Sequence, residues 1–178
     1  MSGWKPGDPR RRTDAMIRVD QAGEYGATRI YAGQLAVMGD RGPAARAIAA
    51  MADQEERHRK FFDAMVARRG VRPTLFQPVW KVAGFALGAV TAAMGPEAAM
   101  ACTAAVETEI DKHYAEQLAA LGNDDPELSA AIADFQADEL EHKETALASG
   151  AENALGYPVL SGLIRLGCRV AIATAKRI

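Results

Sequence analysis

Asp53-Gln54-Glu55-Glu56-Arg57-His58 is the stretch that decides the fold. It sits in a run where Ile48, Met51, Glu55, His58, Phe62 and Met65 recur at spacings of 3, 4, 3, 4 and 3 residues. Such spacing marks one face of a helix, and that face is apolar except for Glu55 and His58. A carboxylate and an imidazole in an apolar seam are costly unless paired or bound to an ion. The pattern returns downstream. Leu128, Ile132, Phe135, Glu139, His142 and Ala146 keep helical spacing, again with a glutamate three residues before a histidine.

Working outward, two more carboxylates join these seams. Glu24 shares a helix face with Ile17 and Tyr31, and Glu107 shares one with Met100 and Tyr114. Glu24 and Glu107 are 83 residues apart, as are Tyr31 and Tyr114, while Glu55/Glu139 and His58/His142 are each 84 apart. This is an internal repeat carried by polar seam residues. Glycine and proline punctuation at 39–43, 70–78, 95–96, 122–126 and 156–158 divides the chain. It predicts helices over 14–38, 43–69, 78–94, 96–121, 125–149 and 158–176 and no strand. Four of these are long and form two hairpins with short turns, joined by a helical segment too long for a turn. The expectation is an all-α, ferritin-like four-helix bundle with a long helical crossover and an extra C-terminal helix. The whole chain, 1–178, reads as one domain, with a flexible N-terminus at 1–13, an apolar crossover at 71–95 and a basic amphipathic helix at 156–178.

Composition agrees. The 178 residues include 37 alanines, the best helix former, and only 6% aromatics. A net charge of −2 argues against a dedicated nucleic-acid binder. Cys102 and Cys168 form no CxxC, which excludes a thiolate metal site and a disulfide framework. The N-terminus lacks the apolar run of a secretory signal. The longest uncharged stretch, Val82 to Pro96, is 15 residues, short of the ~20 a membrane span needs.

Tight hairpin turns put Glu24 level with Glu55 and Glu107 level with Glu139. Four carboxylates and two imidazoles then meet in the bundle interior. Oxygen and imidazole donors suit a redox-active pair of iron or manganese ions, with two glutamates bridging, two terminal and one histidine per ion. Four carboxylates balance the charge of two divalent ions.

These residues sit in words that resemble the demethoxyubiquinone hydroxylase family, di-iron monooxygenases of ubiquinone biosynthesis. The matching words include Arg18-Val19-Asp20-Gln21-Ala22-Gly23-Glu24-Tyr25-Gly26-Ala27, Asp53-Gln54-Glu55, Gly84-Phe85-Ala86-Leu87-Gly88, Asp138-Glu139-Leu140-Glu141-His142 and Gly167-Cys168-Arg169-Val170-Ala171-Ile172. The resemblance runs from about residue 14 nearly to the end. It implies that Glu24, Glu55, His58, Glu107, Glu139 and His142 ligate two iron ions (Fe2+/Fe3+). It also implies that O2 and an external reductant, NADH, are co-substrates, and that the substrate is a polyprenyl demethoxy-quinone whose ring is hydroxylated. The enzyme would be peripheral to the membrane holding that lipid. The N-terminus lacks a mitochondrial targeting extension, so the expectation is the cytoplasmic side of a bacterial inner membrane.

Glu55 and Glu139, each beside its own histidine, are the bridging candidates. Tyr114 and His113 follow Glu107 and are candidates for a proton or electron relay. The alternatives are a hydrogen-bonded core tyrosine and a surface or outer histidine, since His113 has no glutamate three residues before it. Gly23 and Gly26 flank Glu24 within a helix, either to admit a ring or a neighbouring helix or as a local kink.

Leu75, Phe76, Val79, Trp80, Phe85, Leu87 and Val90 make the crossover apolar, and Arg165, Arg169, Lys176 and Arg177 make the last segment basic. Together they suit an interfacial enzyme. Packing on the bundle, on a second copy or in a ubiquinone-biosynthesis complex is the alternative. Ferroxidase or peroxidase chemistry of ferritin or rubrerythrin type, and a non-catalytic membrane-docking role, remain open beside the hydroxylase reading.

Overall fold

A computed structural model describes residues 9–40 and 42–177. Residues 1–8 of the expected flexible N-terminus, Arg41 of the expected first turn and Ile178 lie outside the described residues. The described chain is six α-helices and one short 3₁₀ turn: α1 Pro9–Met38, α2 Gly42–Arg69, α3 Gln77–Ala93, α4 Pro96–Leu121, α5 Pro126–Ala148, the turn Ala151–Asn153, and α6 Tyr157–Ala175. No strand is present among the described residues. Five helices begin and end within one residue of expectation. The first begins five residues early, so α1 takes in 9–13 of the segment expected to be flexible. Proline's fixed φ suits a first helical turn, and Arg12 ties this end to Asp124 at 2.9 Å.

Helices α1/α2 and α4/α5 form the two hairpins, α3 runs along α1, and α6 lies on α4. The ends are locally specified. Gly95 adopts φ +124°, closed to most side chains, just before Pro96 opens α4. Asp125 caps α5 by accepting from the Leu128 amide at 3.1 Å, and it also pairs with Arg69, tying the end of α2 to the start of α5.

Two apolar layers fill the bundle. One gathers Tyr31, Ile48, Met51, Met100 and a set of buried alanines. The other gathers Ile17, Phe62, Met65, Leu128, Ile132 and Phe135. The seam residues Glu24, Glu55, His58, Glu107, Glu139 and His142 lie between them, none more than 2% exposed.

Glycines let α3 approach α1 backbone to backbone. A Cβ at Gly88 would lie 2.8 Å from the Ile30 carbonyl carbon and 3.0 Å from the Gln34 nitrogen, and closer still to the Ile30 oxygen. A Cβ at Gly33 would lie 2.8 Å from the Ala89 nitrogen. Outward, α3 exposes Val79, Val82 and Val90, and α6 exposes Val159, Leu163, Leu166 and Val170. By length and composition α6 could cross a membrane, with mean hydropathy 1.3. Two of its four expected cationic residues turn to the bundle instead. Arg165 and Arg169 both donate to the buried carboxylate of Glu109 on α4, at 2.7 and 2.8 Å.

Candidate metal centre

Seam spacing brings all six expected ligands together. Glu24, Glu55, His58 and Glu139 each offer a ligand atom within 4.8 Å of the others, and Glu55, Glu107, Glu139 and His142 form a second such group. Glu55 and Glu139 belong to both, so they stand where bridging carboxylates would.

Hydrogen bonds set the ring orientations. His58 Nε2 lies 2.9 Å from Asp138 Oδ2, and His142 Nε2 lies 2.9 Å from Gln54 Oε1. Both partners are acceptors, so each Nε2 carries a proton and Nδ1 is the ring nitrogen turned to the cluster, free to ligate a metal once it carries no proton. Nδ1 of His58 is 3.2 Å from Glu139, and Nδ1 of His142 is 3.2 Å from Glu55. The terminal carboxylates are braced across the hairpins: Tyr31 on α1 donates to Glu107 at 2.7 Å, and Tyr114 on α4 donates to Glu24.

The remaining polar atoms have no partner. Both oxygens of Glu55, one each of Glu24, Glu107 and Glu139, and Nδ1 of His58 are buried without a hydrogen bond. Native interiors rarely leave such groups orphaned. Here six converge, all hard oxygen or imidazole donors facing one another, which is a fit for a pair of first-row divalent cations.

Electrostatics agree. Burial, then the charge of Glu139, pushes Glu55 well above the ordinary carboxylate range, and the same two causes raise Glu107. Burial also raises Glu139. Burial opposes charge on His58, but Glu139 and Glu24 outweigh it and lift the ring to about 10. Burial lowers His142.

The expected relay residues separate. Tyr114 touches the cluster through Glu24. His113 does not: its Nε2 accepts from Gln117 Nε2 at 2.8 Å and lies 3.6 Å from Asp20. Gln117 also donates to Asp20 at 2.7 Å. This buried trio reaches a small surface cavity beside Arg12 and Lys176. Helix α1 continues through Gly23 and Gly26. Both line an apolar cavity of about 470 Å³ between α1, α3, α4 and α6, with Trp80, Leu87, Val106 and Ile164.

Sequence reasoning assigned no role to Tyr31, Gln54 or Asp138. The repeat relates them without giving a role: Tyr31 pairs with Tyr114 at the 83-residue offset, and Gln54 with Asp138 at 84.

A helical bundle whose two hairpins share a buried, tyrosine-braced cluster of four glutamates and two histidines has the architecture of the ferritin-like carboxylate proteins. Within that class the chain belongs to the ubiquinone biosynthesis protein COQ7 family, whose model matches residues 11–175. It is 51% identical over 175 residues to the 3-demethoxyubiquinol 3-hydroxylase of Rhodospirillum rubrum, covering 97% of this chain and 82% of that one. It is 49% identical over 173 residues to the mitochondrial NADPH-dependent 3-demethoxyubiquinone 3-hydroxylase of Homo sapiens, covering 95% and 79%. It is 44% identical over 181 residues to the mitochondrial 5-demethoxyubiquinone hydroxylase of Saccharomyces cerevisiae, covering 93% and 78%.

Proposed function

We propose that this chain is a di-iron, O2-dependent monooxygenase that hydroxylates the ring of a polyprenyl demethoxy-quinone. The observation that carries the reading is the set of orphaned Glu and His atoms, with an apolar cavity lined by Gly23 and Val106, the chain neighbours of Glu24 and Glu107. The names of the relatives support the substrate class.

Glu24, His58 and the shared Glu55 and Glu139 would hold one iron; Glu107, His142 and the same shared pair would hold the other. The metals, when bound, supply O2 activation and electron transfer. The balance is one ring C–H, O2, two electrons and two protons giving one ring C–OH and water. The reductant is a nicotinamide: NADH is the expectation from the resemblance, and the human relative is named NADPH-dependent.

The chain's own residues bind, orient and exclude. Tyr31 and Tyr114 fix the outer carboxylates. The apolar layers keep bulk water from the cluster, which strengthens every charge interaction there. The cavity beside Gly23 and Gly26 receives the quinone ring, with its tail leaving over α3 and α6. Tyr114, which donates to Glu24, is the relay residue beside the cluster, and the His113–Gln117–Asp20 trio stands towards the surface cavity. Burial raises Asp20, so its carboxyl holds a proton more readily than a surface aspartate.

The exposed valines and leucines of α3 and α6 are the surface that meets the lipid. Arg165 and Arg169 share the one carboxylate of Glu109 and tie α6 to α4 with a net positive charge, so α6 lies on the membrane rather than crossing it. The location proposed is peripheral, on the cytoplasmic face of a bacterial inner membrane. A second copy, or a ubiquinone-biosynthesis complex, can share this surface.

The test is reconstitution with Fe(II), a demethoxyubiquinone, O2 and NADH or NADPH. A ring-hydroxylated product is expected. Two bound irons with NAD(P)H oxidation but no hydroxylated quinone refutes the substrate assignment and favours a ferroxidase or peroxidase.

A further inference from the structure

The ligand atoms of the two halves are matched, yet what stands behind the two imidazoles is not. His58 donates its Nε2 proton to the carboxylate of Asp138, and His142 donates to the amide oxygen of Gln54. Positions 54 and 138 are related by the 84-residue offset that also relates Glu55 to Glu139 and His58 to His142. The residue before each shared glutamate therefore backs the histidine of the opposite half, and the repeat places an anion at one position and a neutral amide at the other.

The anionic side is also held more firmly. Arg57 pairs with Asp138, reaches Asp134 at 3.3 Å and lies 5.6 Å over the Phe135 ring. The His58 ring stacks on Phe135 with centroids 4.0 Å apart. His142 meets only the edge of Tyr31, at 6.4 Å. A carboxylate acceptor draws the Nε2 proton and pushes electron density onto Nδ1, whereas an amide does so less.

We propose that this substitution within the repeat makes the two metal positions inequivalent: the His58/Glu24 position binds a divalent ion more tightly than the His142/Glu107 position, with Asp138 and Gln54 as the positioning residues. The inference rests on the dinuclear reading above. Partners of this kind are worth about 10–100-fold in metal affinity, enough to impose an order of filling.

The experiment titrates the metal-free, full-length protein with Co2+. It follows visible d–d absorption and the hyperfine-shifted, solvent-exchangeable imidazole N–H signals in proton NMR. Two steps about 10–100-fold apart are expected, with one shifted N–H at one equivalent and a second appearing towards two. Asp138→Asn, isosteric and neutral, weakens the first step about tenfold or more and moves the first N–H signal, leaving the second step in place. Asp138→Glu keeps two separated steps. Gln54→Glu tightens the second step towards the first. Thermal unfolding of each metal-free variant checks that it folds.

Two equal affinities in the wild type, both N–H signals growing together, or an Asp138→Asn effect shared equally by both steps overturns the inequivalence and leaves the dinuclear reading standing. Failure to bind two ions per chain overturns that reading, and the inference falls with it.

Discussion

The same substitution made twice in one helix is expected to have opposite effects. Glycine within a helix is less favourable than alanine by about 1 kcal/mol. At Gly26 an added Cβ meets nothing within 4 Å, so Gly26→Ala gains that amount. At roughly 2–4 °C per kcal/mol for a chain of this size, Tm rises by about 2–4 °C. At Gly33 the Cβ meets the backbone of α3, with the Ala89 nitrogen at 2.8 Å and the Phe85 carbonyl carbon at 3.0 Å. Backbone cannot swing aside as a side chain can, so α3 must back away from α1 along its length. Overpacking of this kind costs about 1–3 kcal/mol, and a rigid contact belongs at the upper end. Less the helix gain, Gly33→Ala loses about 2 kcal/mol, or roughly 4–8 °C.

Function separates the two further. Gly26 lines the apolar cavity, so its more stable variant binds quinone more weakly and shows a raised KM. The assay is thermal unfolding of both variants beside wild type, followed by quinone-dependent turnover. A Gly33→Ala protein melting at or above wild type refutes the close approach of α1 and α3. A Gly26→Ala protein that is more stable with an unchanged KM refutes the placement of the quinone.

Glu139 is shared by both ligand groups, so Glu139→Ala should lower bound metal from two ions per chain towards none. Metal analysis that still finds two excludes it as a bridge. Without metal, Glu55, Glu107 and Glu139 hold protons in the fold at a pH where the unfolded chain has released them. The folded chain then binds more protons, and its stability falls as pH rises from about 4.5. Chelator-treated protein should therefore lose Tm between about pH 5 and 8 relative to the metal-loaded form, and a metal-free protein that gains Tm over that range contradicts the assignment. Glu109 behaves oppositely. Arg169, opposed by burial and helped by Arg165, holds it down to about 2, so its contribution is present above about 4.5 and is lost as pH falls from there. Glu109→Gln should cost about 1 kcal/mol, since both arginines are partly exposed, and should speed hydrogen exchange in α6. Unchanged α6 protection would mean that the ion pairs do not dock the helix.

The six cluster residues were legible because each breaks an apolar stripe at helical spacing, and a buried charge needs a reason. Helix ends were legible where glycine, proline or Asx capping is local chemistry, as at Gly95-Pro96 and Asp125. The start of α1 was not, because its arginine-rich first turn carries no apolar period and is held by a contact to Asp124, 112 residues away. Asp138 and Gln54 were hidden for a related reason. In sequence each is one more polar residue beside a seam, and only the packing of α2 against α5 turns it towards the opposite histidine. The role of the α3 glycines was not legible either. What they do depends on how near α1 comes, and spacing along one chain does not encode that.

The two hairpins bring four carboxylates to one level between two apolar layers, a placement that packing alone opposes. Water cannot relieve it, because both layers are closed. Protons relieve it partly, which is why three of the glutamates are raised. Divalent cations bound there would relieve it, so the destabilisation held by the metal-free fold would become part of the driving force for binding them. Stability and occupancy are then one quantity measured twice: a metal at a hundred times its Kd adds about 2.7 kcal/mol per site. An Asp138→Asn variant that weakens one site must lower the melting temperature of the loaded protein at fixed metal concentration. It should do so by more than it lowers that of the metal-free protein, because an asparagine in that place still accepts the His58 proton although it loses the charge that pairs with Arg57.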